Sequence, residues 1–441
     1  MMRGVWAVSQ PVLNECTPRY ANYVLTLLCC VYGLNFLDRQ ILNILIDPIK
    51  ADLHISDTAM GLLTGFGFSI FYTLFSIPVA RWADRGNRRF IMTVALGIWS
   101  LTTALCGLAQ NLWQLACARV CVGIGETGGT PTSYSLIADY FPRAARANAV
   151  SIFEASLYAG VLGGYLLGGW VSQWYGWRAA FMIAGLPGLI VAAIFYLTVR
   201  EPARGMSETR PVHAQQPPLG ECLRFMGSQT SLVLMMIGLV LWAFVNFALG
   251  AWTPSFLRRL HHMSGGQVGT WLGFVNGISG CIGTLLGGFV VGRVKAGAES
   301  WMLRWPAIFT IAPAPAMVIF LFASSDVTAM VAYFVAGVLN AFPIGPCFAV
   351  MQSLCRVRMR ALTAAIAVLF CNLIGGGCGP LFVGATTDLL TPRLGVESIR
   401  WSLLVTSGML VVSGLFFLAA SRFVQRDLDR ADQVDAVAGT A

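Results

Sequence analysis

Long apolar runs alternate with short polar breaks along almost the whole chain. They fall at about 20–47, 57–82, 88–109, 112–138, 147–171 and 178–199. After a polar interval they resume at about 230–257, 265–291, 301–324, 327–351, 361–390 and 398–421. About 20 mainly apolar residues carry a helix across a bilayer, and each run is long enough for one crossing. The pattern predicts an all-α membrane protein with twelve transmembrane helices. The polar interval, Arg200 to Gln229, carries Pro202, Pro211, Pro217 and Pro218, and clustered prolines punctuate helices rather than continue them. It divides the chain into an N-terminal six-helix half (1–199), a linker (200–229), a C-terminal six-helix half (230–423) and a tail (424–441).

The halves repeat. Ala80-x-x-x-Asp84-Arg85 follows the second run, and Gly288-x-x-x-Gly292-Arg293 follows the eighth, 208 residues later. The same offset carries Asp38 onto Asn246, and a slightly larger one carries Gly123-x-x-Glu126 onto Gly337-x-x-Asn340. Parallel six-plus-six repeats characterise one large class of transporters, whose substrate site lies at mid-membrane between the halves.

Composition removes the main rivals. Of 441 residues, 56% are hydrophobic and 11% charged, against roughly 25% charged in a soluble domain. The net charge of +9 would suggest nucleic acid in a soluble protein, but basic residues collect in the cytoplasmic loops of membrane proteins, so no nucleic-acid partner is expected. With the N-terminus inside, the cytoplasmic segments hold 21 Arg or Lys and the outer loops six. Both termini are therefore expected to be cytoplasmic. The first twenty residues lack the basic, apolar and cleavable regions of a signal peptide, so the first span is expected to be retained. The 12 Cys lie mostly in apolar runs with no metal-ligand spacing, and no zinc site or disulfide framework is expected.

Charges at bilayer depth cost at least about 2.5–3.5 kcal/mol each and mark function by default. The deep candidates are Asp38, Arg39, Arg119 and Glu126, with Glu154 shallower, all in the first half. The second half offers only the amides Asn246, Asn276, Asn340 and Asn372. Arg119 and Glu126 are seven residues apart, which puts them on one helix face about 10 Å apart along the axis. A membrane carboxylate beside an arginine can exchange that partner for a proton, which forces the pairing to rearrange. Asp38 and Glu126 are thus candidate proton sites, and the alternative is permanent ion pairs that only fix packing. Glu154 is as well explained by packing or snorkelling. His54, His213, His261 and His262 fall in loops or at span ends, so a proton relay must use carboxylates.

Other signals carry less. Gly123-x-Gly125-x-x-Gly128 fits the dinucleotide pattern but lacks the preceding strand. Gly160-x-x-x-Gly164-x-x-x-Gly168 reads as a small-residue ridge for close helix approach, a packing and rocking surface. Tyr72 and Trp242 are candidate cavity residues, with Glu154, Asn246 and Asn340. No nucleophile elbow, phosphate loop or metal-spaced cluster is visible, so catalysis, metal and cofactor are not expected.

The loop Ala80-Arg-Trp-Ala-Asp84-Arg85-Gly-Asn87-Arg88-Arg89 resembles the signature between spans two and three of the major facilitator superfamily. Its Asp-Arg-x-Asn-Arg-Arg form is similar to that of the Spinster branch. So are Leu37-Asp38-Arg39, Arg119-x-x-x-Gly123-x-Gly125-Glu126 and Glu201-Pro202-x-Arg204-Gly205. The resemblance covers nearly the whole chain and implies an alternating-access carrier of amphipathic, lipid-like substrates such as lysolipids or sphingoid phosphates. It implies proton sites at Asp38 and Glu126, with Arg39 and Arg119 pairing with them or meeting an anionic head group. It also implies a cytoplasmic latch of Asp84, Arg85, Arg88 and Asp139, degenerate in the second half where Gly292 replaces the aspartate. Short loops and the absence of glycosylation sequons fit a bacterial inner-membrane protein.

The expected function is therefore a proton-coupled secondary transporter of an amphipathic anionic substrate, working as a monomer in the lipid bilayer. A carrier of small organic anions anchored on Arg119 is the alternative, and a membrane-embedded lipid-modifying enzyme a remote one.

Overall fold

The computed structural model describes residues 17–203, 218–291, 293, 300–355 and 359–429. Among these, the ordered elements are all helical. The first half forms α1 (Pro18–Ile44), α2 (Ile46–Leu53), α3 (Asp57–Thr64), α4 (Phe66–Arg85), α5 (Arg88–Cys106), α6 (Leu112–Glu126), α7 (Gly129–Tyr140) and α8 (Arg143–Thr198). The second forms α9 (Leu219–Ser228), α10 (Thr230–Leu260), α11 (Gly265–Val291), α12 (Trp301–Ile311), α13 (Pro313–Phe322), α14 (Asp326–Asn340), α15 (Ile344–Leu354), α16 (Arg360–Phe370), α17 (Gly377–Leu394) and α18 (Ser398–Ser421). A π-helical turn, Cys371–Gly376, joins α16 to α17.

Local chemistry starts these helices. The Thr17 hydroxyl accepts from the Tyr20 amide with Pro18 in the first turn of α1, and Asn87 and Asn111 cap α5 and α6 in the same way. Each such cap satisfies an amide that the helix itself cannot. Two glycines end helices by adopting φ values closed to most residues: Gly176 at 82° inside α8 and Gly395 at 57° after α17. Among the described residues, nine helical segments are long and apolar enough to cross a membrane. Two of them, Arg143–Thr198 and Leu362–Ser421, run to 56 and 60 residues and turn at these glycines.

The internal repeat is visible in the backbone. His54 and His262, 208 residues apart, both take positive φ (52° and 54°), a region in which His is enriched among non-glycine residues. Two residues later Ser56 and Ser264 each accept from the amide three residues on, Ala59 and Gln267.

The chain forms two compact units. One gathers Met1–Ile55, Gly67–His213 and Ser264–Gly273; the other Ser56–Phe66, Ala214–Met263 and Phe274–Ala441. The exchanged pieces, Ser56–Phe66 and Ser264–Gly273, are equivalents in the 208-residue repeat. Glycine lets each pack backbone to backbone: a Cβ on Gly65 would overlap the Gly377 carbonyl, and one on Gly269 the Tyr165 carbonyl. Within the first unit α8 packs along α1 through the expected glycine ridge, with Gly160 against Gly33, Gly164 against Leu37 and Gly168 against Ile44. Much of the linker (204–217), Gly292 and the end of the tail (430–441) lie outside the described residues.

Candidate functional site: a crossed charge network and a matching amide cluster

The helices of the fourth and tenth apolar runs are both interrupted. α6 stops at Glu126 and α7 resumes at Gly129; α14 stops at Asn340 and α15 resumes at Ile344. Glu126 thus sits at the negative end of the α6 dipole, where a carboxylate is disfavoured unless a cation answers it. Arg39 supplies that cation, its Nε and Nη2 donating to Glu126 Oε2 at 3.0 and 2.9 Å. Its sequence neighbour Asp38 turns to the other arginine: Arg119 Nη1 lies 3.3 Å from Asp38 Oδ2. Thr103 donates its hydroxyl to Asp38 Oδ1 at 2.9 Å.

The four charges form two crossed pairs. Consecutive residues of α1 take partners two turns apart on α6. Asp38, Arg119 and Glu126 are 3%, 2% and 1% exposed, so each pair replaces water as the other's solvation. One aromatic ring lies beside both arginines. The guanidinium of Arg39 lies 4.9 Å from the Phe68 ring centre and that of Arg119 5.7 Å. Arg39 also lies over Phe36 and Tyr72, at 5.3 and 5.2 Å. Tyr72 therefore walls the network, stacked on Phe68 with centroids 5.5 Å apart. Two polar atoms inside it have no hydrogen-bond partner among the described residues, Glu126 Oε1 and Arg119 Nε.

Glu154 stands apart. Tyr134 donates its phenol to Oε1, and Tyr32 to Oε2 at 3.3 Å.

The second unit holds the neutral counterpart. Asn340 Nδ2 donates to Asn246 Oδ1 at 2.7 Å. Asn246 in turn donates to the Trp242 carbonyl at 2.8 Å, and Trp242 Nε1 to the Asn340 carbonyl at 3.0 Å. The three cavity candidates of the second half meet in one cluster, and Asn340 Oδ1 is left without a partner among the described residues.

Of the expected latch, Arg88 and Asp139 are in contact through Nη1 and Oδ2. Arg88 is 1% exposed and also donates Nε to Glu201 Oε1 at 2.8 Å and Nη2 to the Pro202 carbonyl at 2.9 Å. Glu201 Oε2 accepts from the Arg89 amide at 2.9 Å. Arg85 is exposed, and the Asp84 side chain lies outside the described ones. Glu201 took no role from its sequence position; the acidic residue just before Pro202 at the end of span six was its available signal. Thr103, Tyr32 and Tyr134 likewise gave none, being ordinary residues until the helices pack.

A further charged cluster joins Asp57, Arg259 and Asp388 in the second unit. Arg259 meets both Asp57 oxygens at 2.8 Å. Asp388 accepts from the Asp57 and Thr58 amides at 3.2 and 2.7 Å, capping α3.

A protein-family model described as Major Facilitator Superfamily matches residues 28–380. The chain belongs to the major facilitator superfamily. It is 31% identical over 414 residues to an MFS-type efflux pump of Mycolicibacterium smegmatis, covering 93% of this chain and 95% of that one. It is 25% identical to spinster homolog 3 of Danio rerio, over 96% and 89% of the two chains. The crystal structure of a bacterial homolog to the human lysosomal transporter Spinster, inward-facing and unoccupied, matches with a TM-score of 0.85 at 30% identity, over 93% of this chain and 99% of that one. The protein is a Spinster-like transporter of this superfamily, and these relatives are transporters rather than enzymes.

Proposed function

We propose that the protein is a proton-coupled, alternating-access carrier of an amphipathic, lipid-like anionic substrate. In this reading it spans a bacterial inner membrane twelve times as a monomer, with both termini cytoplasmic, protons as the coupling ion and no cofactor. Twelve spans follow if the two longest apolar segments cross twice, turning at Gly176 and Gly395, and if α6 and α7 together make one further crossing. The excess of basic residues in alternate loops supports the orientation.

One observation carries the mechanism: Glu126 is buried against Arg39 with one oxygen unpartnered. A proton on Glu126 releases Arg39, and a free guanidinium at membrane depth must find another anion or move. An anionic head group is such an anion. Arg39 is the accessible arginine of the two, 20% exposed at its side chain against 3% for Arg119. That disfavours a small anion anchored on Arg119 alone. An apolar pocket of about 330 Å³ in the second unit, lined by Met226, Leu232, Met236, Val240, Phe370 and Ile374, is suited to hydrocarbon.

The test is transport in proteoliposomes with an imposed pH gradient, using a lysolipid, a sphingoid phosphate and a small organic anion. Uptake driven by the gradient for the single-chain lipids alone is the expected result. Gradient-independent transport overturns the coupling, and selectivity for the small anion overturns the substrate class.

A further inference from the structure

We propose that Glu154, Tyr32 and Tyr134 form a recognition site for the organic ammonium group of a transported amphiphile. This rests on the reading of the protein as an amphiphile carrier and deepens it by assigning residues to a head-group nitrogen.

Three elements build the site. Tyr32 comes from α1, Tyr134 from α7 and Glu154 from α8. Asp38 and Glu126 each have an arginine, whereas Glu154 is joined to no cation among the described residues. Both its oxygens accept from phenols. Neutral donors hold a carboxylate in place without cancelling its charge, so the carboxylate itself keeps its attraction for a cation.

The surroundings are aromatic. Phe153 stacks on Tyr32 with centroids 4.3 Å apart, and Tyr134 meets the same ring edge-on at 5.6 Å. Phe36 lies edge-on to Tyr32 at 5.1 Å. Aromatic faces attract cations and do so most strongly for alkylated ammonium, which sheds water easily. The site is open as well: Tyr134 is 40% exposed and Glu154 half-buried. Tyr32, Phe36 and Arg39 share one face of α1 at i, i+4 and i+7. That face leads from the Glu154 site to Arg39, so a head group carrying both charges meets a carboxylate at one end and a guanidinium at the other.

The experiment measures binding to the purified protein in lipid nanodiscs. Four probes of equal chain length are titrated: an alkyltrimethylammonium, its neutral tert-butyl isostere, an alkylphosphocholine and an alkyl phosphate. The wild type should bind the ammonium probe roughly tenfold more tightly than the neutral isostere. Glu154→Gln should erase that preference and weaken the phosphocholine, leaving the alkyl phosphate unchanged. The isostere comparison needs no variant, so it stands even if Glu154→Gln misfolds. Equal binding of the ammonium and its isostere overturns the site while leaving an amphiphile carrier intact. A uniform loss of all four probes in Glu154→Gln also overturns it, since it marks a packing role. No binding of any probe by the wild type sinks the substrate reading together with the site.

Discussion

Glu126 and Asn340 occupy corresponding places in the two halves of the chain, each the last residue of a helix that stops inside its apolar run. Their partners differ. Glu126 pairs with Arg39 in the network that also holds Asp38, whereas Asn340 bonds directly to Asn246, the counterpart of Asp38 in the repeat. One half has kept charges at the break and the other amides. Of the two breaks, only the first carries a side chain that can change its charge by taking up a proton.

Glu126→Gln should separate coupling from movement. The amide keeps the shape and can still accept from Arg39, but it cannot gain or lose a proton. Gradient-driven uptake should fall by about a hundredfold or more, a size typical of losing a positioned proton-transfer group. Exchange of labelled for unlabelled substrate across the liposome membrane should persist. Retention of the full pH dependence would show that Glu126 is not the coupling residue.

The Asp38–Arg119 pair is best tested as a cycle. Removing one partner leaves the other buried and uncompensated, at a cost of about 3–5 kcal/mol, whereas replacing both by apolar groups is often close to neutral. Asp38→Leu and Arg119→Met should each lower the melting temperature in detergent sharply, and the double variant should recover most of the loss. Additive losses would show that the two charges are stabilised independently.

Asn340 gives the complementary case. Asn340→Leu removes the donor to Asn246 Oδ1, and leaving this half-buried acceptor unsatisfied costs up to about 1–3 kcal/mol. Asn340→Asp adds a charge to the Asn246–Trp242 cluster, which has no arginine among its described partners, at a cost of at least about 2.5–3.5 kcal/mol. Melting temperatures should therefore rank wild type above Leu above Asp. An aspartate variant as stable as wild type would mean that a cation already reaches this cluster.

Much of this was legible in the chain, for identifiable reasons. Span positions follow from apolar runs because lipid leaves the backbone no other solution than helices or barrels. The deep charges stood out because they are costly there. Spacing put Arg119 and Glu126 on one face of one helix, but the partner each chose depends on how α1 packs across α6. Arg39, next to Asp38, could have met either carboxylate's surroundings. Glu201 was invisible as a ligand of Arg88 for the same reason: 113 residues separate them. The exchange of Ser56–Phe66 into the second unit also has no local signal beyond its glycines, Gly61 and Gly65.

Arg88 and Arg85 lie three residues apart in one basic loop and should behave differently. Arg88 is buried and holds Asp139, Glu201 and the Pro202 carbonyl. Arg88→Ala removes the buried guanidinium that both carboxylates meet, and a loss of up to about 3–5 kcal/mol is expected. Arg85 is exposed, and Arg85→Ala should change stability by no more than about 0.5 kcal/mol. Comparable melting shifts for the two would mean that the Arg88 contacts are not a stabilising hub.

The glycine ridge separates packing from mere smallness. A Cβ on Gly160 would overlap the Gly33 carbonyl, backbone that cannot move without shifting α1. A Cβ on Gly163 would meet only the Leu37 Cδ1 at 3.4 Å, the end of a flexible side chain. Gly160→Ala should cost about 1–3 kcal/mol by overpacking, displace α1 and so disturb the Asp38 and Arg39 pairs that α1 carries. Gly163→Ala, three residues along the same helix, should melt and transport nearly as wild type. The pairing of the two results is the test: if both alanines are tolerated, α1 and α8 are not in backbone contact, and the register that aims Asp38 at Arg119 and Arg39 at Glu126 must be set elsewhere.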